Sequence, residues 1–116
     1  MISPDLPMSE FTRQAGEATS LLKAMANEFR LLALCYLAES GELSVGELVD
    51  RVGLGQSALS QHLAKLREEG LVATRKEAQT VFYRVCDPKA EQLLALLHDL
   101  FCPELGREGT TNPDRS

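Results

Sequence analysis

A chain of 116 residues has room for one domain, and a core of that size leaves little to bury beyond it. Its hydrophobic fraction of 44% is ordinary for a globular protein, and no segment approaches the ~20 apolar residues of a membrane span. The net charge of −5 argues against a uniformly basic nucleic-acid binder. The start, MISPDLPMSE, has neither a basic region nor an apolar run, so no signal peptide is expected, and the expected compartment is the cytoplasm.

Residues 1–8 contain Pro4 and Pro7 and are expected to be loose. Ser9 to about Ala24 fits a first helix, with Phe11, Ala15, Ala18, Leu21 and Leu22 as its apolar positions. Asn27 is placed to cap a second helix that runs to about Glu39 and stops at Gly41. The run Leu31 to Leu37 is apolar nearly all round, which marks this helix as the central, buried one. A shorter helix opens at Leu43-Ser44-Val45-Gly46-Glu47. Ser44 and Glu47 have capping-box spacing, Val45, Leu48, Val49 and Val52 form its apolar face, and Gly53 ends it.

GQSALSQHLAKLREEG, residues 55–70, reads as one further helix. Leu59, Leu63 and Leu66 share a face at i, i+4, i+7. At about 100° per residue, Ser57, Gln61, Ala64 and Lys65 fall opposite, with Ser60 beside them. That outer face is small and hydrogen-bonding rather than laced with Glu and Lys. Such a face suits the major groove of DNA, where Ser and Gln reach base edges and bulky side chains do not fit. The bland alternative is an amphipathic helix with a weakly charged surface. The preceding helix and Gly-containing turn favour a helix-turn-helix whose second helix reads DNA.

After Gly70 the period changes to alternation. Leu71–Glu77 and Thr80–Cys86 form two β-like runs about Ala78-Gln79, with Arg75, Lys76 and Arg84 on them. A helix-turn-helix followed by a basic hairpin is a winged helix. From Arg51 to Cys86 there are six Lys/Arg against three Asp/Glu, a local +3, while the rest carries six against fourteen, or −8. The basic share coincides with reader helix and wing.

Asp87-Pro88 starts a last helix with Pro at its first position. Leu93, Leu94, Leu96, Leu97, Leu100 and Phe101 make it too apolar to stand exposed. A partner subunit, joined through the first and last helices, accounts for the surplus face. Pro103 stops the helix, and residues 103–116 read as a disordered tail. The fold class is thus mainly α with a small β-hairpin wing, a homodimeric winged helix-turn-helix over residues 9–102.

The three cysteines, Cys35, Cys86 and Cys102, are spaced like no zinc motif. Taken singly, Cys35 fits core packing, Cys86 fits a strand end, and Cys102 sits at a helix C-terminus, where the dipole disfavours a thiolate. His98, four residues before Cys102, lies on its face of the helix and, as His⁺, would favour that thiolate.

The stretches LLKAMANEFRLLALCYLAES, ELSVGEL, QSALSQHLAKLREEGLV and TRKEAQTVFYRV resemble the ArsR/SmtB family of small dimeric bacterial repressors, over about residues 20–102. Within it the chain is most similar to the branch that senses reactive sulfur and oxidants through two cysteines. The resemblance implies that Cys35 and Cys102 are that pair, linked through bridging sulfur by persulfides or as a disulfide by oxidants. Cys86 has no counterpart. Gly55 departs from the family, where the helix N-cap is often Ser. Metal sensing is the rival within the family. Arsenic and cadmium sensors place a cysteine pair in the first reader helix, where this chain has Ser44 and Gly46, and the last helix offers His98 and Asp99 without a second His. Cys35 and Cys102 could themselves bind a metal, but the reading assigns no metal and no cofactor.

An enzyme would need a phosphate loop, a nucleophile elbow or a framed carboxylate pair, and none is legible. A protein-binding winged helix would present an acidic or apolar reader face, unlike this one. The sequence therefore predicts a DNA-binding regulator, a repressor. Ser57, Ser60, Gln61 and Lys65 face the major groove, with Gln56 and His62 as secondary contacts. Arg75, Lys76 and Gln79 approach the backbone or minor groove from the wing. The expected partners are an operator duplex, a second copy of the chain and a reactive sulfur species or oxidant as inducer. A regulator without an inducer, acting by displacing another protein from DNA, is the other alternative.

Overall fold

A computed structural model describes residues 8–102. The expectations for residues 1–7 and 103–116 lie outside the described residues. Five helices and three strands follow in the order α1 (Met8–Met25), α2 (Glu28–Ser40), β1 (Leu43–Ser44), α3 (Val45–Val52), α4 (Gln56–Glu68), β2 (Val72–Glu77), β3 (Thr80–Val85) and α5 (Pro88–Phe101). The mainly helical winged fold is the one the sequence predicts. None of the described helices is long and apolar enough to cross a membrane.

Local chemistry sets the helix ends. The Asn27 side chain accepts from the backbone N–H groups of Phe29 and Arg30 at 3.0 and 3.1 Å, which starts α2. The Ser44 hydroxyl accepts from Glu47 N at 3.2 Å, and Glu47 Oε1 accepts from Ser44 N at 2.9 Å, completing the expected capping box of α3. Gly53, at φ 82°, closes α3 in a left-handed turn that side-chain-bearing residues rarely adopt. Helix α4 ends in a Schellman motif. Gly70 N donates to Arg67 O at 3.0 Å and Leu71 N to Leu66 O at 2.9 Å, with Gly70 at φ 82°. The buried Leu66 and Leu71 flank the motif, so the reader helix and the wing are joined through a fixed, packed corner. Asp87 caps α5, with Pro88 in the first turn.

The sheet holds one element that the sequence reading omits. Leu43 and Ser44, expected only to open α3, form a third strand paired antiparallel to β3, with Leu43 opposite Tyr83 and Ser44 opposite Phe82. The two roles are compatible because an N-cap residue is extended. Ser44 sits at φ −79°, ψ 166°, which serves ladder and cap together. The wing is thus a three-stranded sheet in the order β1-β3-β2 rather than a bare hairpin.

The core gathers Ala33, Leu34 and Leu37 of α2 with Leu48, Leu59, Leu63, Leu66, Leu71, Val72, Ala90 and Leu94. Helix α2 packs against α1, α3, α4, α5 and β3, as its nearly uniform apolar run foretold. Leu59, Leu63 and Leu66 are fully buried, which fixes α4 by its inner stripe and leaves its outer face free. At the other side of the core the surface is apolar. Leu22 on α1 and Leu96, Leu100 and Phe101 on α5 are more than half exposed in the protomer.

Candidate nucleic-acid interface and cysteine pair

The outer face of α4 is where the predicted reader residues stand. Gln56, Ser57, Ser60 and Gln61 are exposed and, with Ala64, line a shallow open concavity. Alanine 64 keeps its floor low, and the hydroxyl and amide groups around it can each donate or accept. Gly55 precedes the helix in extended conformation (φ −61°, ψ 156°) without a side-chain cap. The first backbone N–H groups of α4 therefore point outward at the positive end of the helix dipole, an arrangement suited to a phosphate. Lys65 is exposed one turn further on and faces Glu69 at 3.5 Å, an exposed pair that a polyanion can displace.

His62 is placed differently from its neighbours. It is half-buried, its ring stacks on Phe29 with centroids 6.1 Å apart, and its Nδ1 lies 3.4 Å from Arg30 Nη1. Arg30 also donates through Nε to the Ala24 carbonyl at 2.6 Å, closing the C-terminus of α1. His62 thus joins α4 to the α1–α2 corner. Nothing local in the sequence marks Arg30 and Phe29 for this role, since His62 lies 32 residues beyond Arg30.

On the wing, Lys76 and Gln79 are exposed near the tip. The two-residue turn starts at Ala78, with φ 55°. Arg75 is exposed too, but its guanidinium is engaged by two carboxylates. Nε and Nη2 donate to Glu42 at 2.7 and 2.8 Å, and Nη1 donates to Glu77 Oε1 at 2.8 Å. Arg75 holds the Glu42 carboxyl below the ordinary glutamate range.

The cysteines divide as well. Cys35 on α2 and Cys102, the C-cap of α5, are half-buried, whereas Cys86 is exposed with its Sγ 3.5 Å from the Gly70 carbonyl. Burial pushes the Cys35 thiol above the ordinary thiol range, and negative charge on Cys102 and then Glu39 adds to the rise. Cys35 and Cys102 thus stand on α2 and at the end of α5, two elements that pack on each other. Among the described residues no three His, Cys, Asp or Glu side chains converge on a common point.

A three-stranded wing beside two helices, the second presenting an uncluttered polar face, defines a winged helix-turn-helix DNA-binding regulator. Residues 27–74 match the profile described as bacterial regulatory protein, arsR family. The chain is 56% identical over 95 residues to the transcriptional activator HlyU of Vibrio cholerae, covering 82% of this chain and 87% of that one. It is 42% identical over 101 residues to the biofilm growth-associated repressor of Xylella fastidiosa, covering 87% and 88%. The structure of reduced HlyU from Vibrio cholerae superposes with a TM-score of 0.77 at 57% identity, covering 80% of this chain and 97% of that one. That of the repressor BigR from Xylella fastidiosa gives 0.77 at 42%, covering 84% and 98%. The chain belongs to the ArsR family and is a DNA-binding transcription regulator, not an enzyme.

Proposed function

We propose that the chain is a cytoplasmic homodimeric repressor that reads duplex DNA with α4 and is released when Cys35 and Cys102 are linked by reactive sulfur species or oxidants. The observation that carries the switch is the placement of two half-buried thiols on α2 and at the end of α5, elements that pack on each other. Helix α2 packs on both reader-pair helices, and α5 carries the apolar face offered to a partner. A link between the two thiols ties the dimer helix to the helix that supports the reader, so it biases one arrangement of those elements over another. Ser57, Ser60, Gln61 and Lys65 contact the major groove, Gln56 flanks them, and Lys76 and Gln79 reach the backbone from the wing.

The test is an equilibrium titration of two-fold symmetric duplexes, with half-sites about one helical turn or a multiple apart. A coupling of ~1–3 kcal/mol corresponds to ~5–150-fold weaker binding after persulfide treatment. Cys35→Ser and Cys102→Ser are expected to bind DNA and no longer respond, and Cys86→Ser to respond normally. Release of the Cys102→Ser protein from DNA by persulfide would refute the two-thiol switch.

A further inference from the structure

The outer face of the wing carries a side-chain cluster around Arg75, one of the residues that the sequence offers as a DNA contact. Adjacent residues of a strand point to opposite faces of the sheet. The register pairs Thr74 with Tyr83 and Lys76 with Val81, on the face that Val72 and Val85 bury against the helices. Arg75 pairs with Phe82, so it lies on the other face. There its guanidinium carbon sits 4.6 Å from the centroid of the Phe82 ring while its nitrogens engage Glu42 and Glu77. Lys76 and Arg75, neighbours in sequence, are therefore not equivalent candidates for DNA.

We propose that Glu42 holds Arg75 as a brace of the wing and withholds it from DNA phosphates, so that Glu42 restrains sequence-independent affinity. The inference rests on the reading in which the wing approaches DNA. A two-pronged carboxylate–guanidinium contact presents the fork geometry that a phosphate would also need, so the two anions compete for the same edge of Arg75. An isolated exposed ion pair would yield readily. This one has a second carboxylate on the remaining nitrogen and an aromatic face beneath, and Glu42 is tethered permanently beside it through β1. Arg75 remains 45% exposed, so removing Glu42 leaves it accessible to solvent and to DNA. In this state Arg75 is a positioning residue, fastening the β2 edge of the wing to the segment that caps α3.

The experiment is a salt series on the reduced, full-length protein with a random-sequence duplex. Each phosphate neutralised by a side chain contributes ~0.9 to the slope of log affinity against log salt. Glu42→Gln, isosteric at an accessible position, is expected to steepen the slope by about 0.9 and tighten binding several-fold at low salt. Arg75→Ala is expected to leave the wild-type slope, and the double variant to return to that same slope. A shallower slope for Arg75→Ala alone places Arg75 on phosphate already and overturns the proposal. An unchanged slope for Glu42→Gln overturns it as well. Lys76→Ala, run beside them, separates the two failures. If it alone shallows the slope, the wing touches DNA without this restraint; if neither changes, the wing is removed from the interface too.

Discussion

Leu100→Glu isolates assembly from folding. Leu100 is 63% exposed in the protomer, and Leu96, on the same stripe one turn earlier, is 52% exposed, whereas Leu94 on the inner stripe is buried. The substitution therefore leaves the core of one protomer intact. Full burial of a leucine side chain is worth ~1.5–3 kcal/mol, so covering the exposed share of Leu100 contributes ~1–2 kcal/mol. Two-fold symmetry counts each residue twice, which gives ~2–4 kcal/mol, or ~30- to ~900-fold in the dimer dissociation constant. The desolvated carboxylate adds to that cost. Sedimentation equilibrium over a concentration series measures the constant, and far-UV circular dichroism checks that the helices persist. A variant that dimerises as tightly as the parent, with its helices intact, refutes the assignment of α5 to the interface.

Gly55→Ser is expected to stabilise the protein by ~0.5–1 kcal/mol, because an added Cβ at Gly55 meets nothing within 4 Å and the serine hydroxyl supplies the missing cap of α4. Thermal melts read this as an upward shift of a few degrees, and a lower midpoint would contradict it. Gln61→Ala is expected to relax discrimination between duplexes by ~1–3 kcal/mol while leaving the salt slope unchanged, measured by competition against random sequence. Cys35, whose thiol is pushed up by burial, then by Cys102 and Glu39, is mostly protonated at neutral pH. Its alkylation is therefore expected to accelerate as pH rises through and above the ordinary thiol range. In Cys102→Ser that rise should come at lower pH, since one opposing charge is gone, and an unmoved profile would show that the two thiols do not interact.

What the sequence disclosed followed from short-range chemistry. Asn27, the Ser44–Glu47 box, Gly53, Asp87 and Gly70 act within a turn of where they stand, so their residue types announce the helix ends. The three leucines of α4 repeat at helical spacing, and burying them determines which face is left for DNA. The missed features depend on partners distant in sequence. Leu43–Ser44 becomes a strand only because β3 lies alongside, with Tyr83 standing 40 positions after Leu43. Arg75 reads as a free wing cation until Glu42, 33 residues earlier, is brought beside it. His62, on the edge of the reader helix, reads as a packing or phosphate residue, but its partners Phe29 and Arg30 at the α1–α2 corner are not legible. The cysteine pair came from family resemblance, since nothing in a separation of 67 positions reveals that α5 returns to α2.

The switch stands or falls on the joining of Cys35 to Cys102, which peptide mapping by mass spectrometry of the persulfide-treated protein detects. Read beside DNA affinity on the same sample, the prediction is one dominant linked pair of peptides, containing Cys35 and Cys102 joined directly or through added sulfur. Its yield should rise in step with the lost fraction of DNA binding. A linked product containing Cys86, or full loss of DNA binding while Cys35 and Cys102 stay unlinked, would rule out the two-thiol switch.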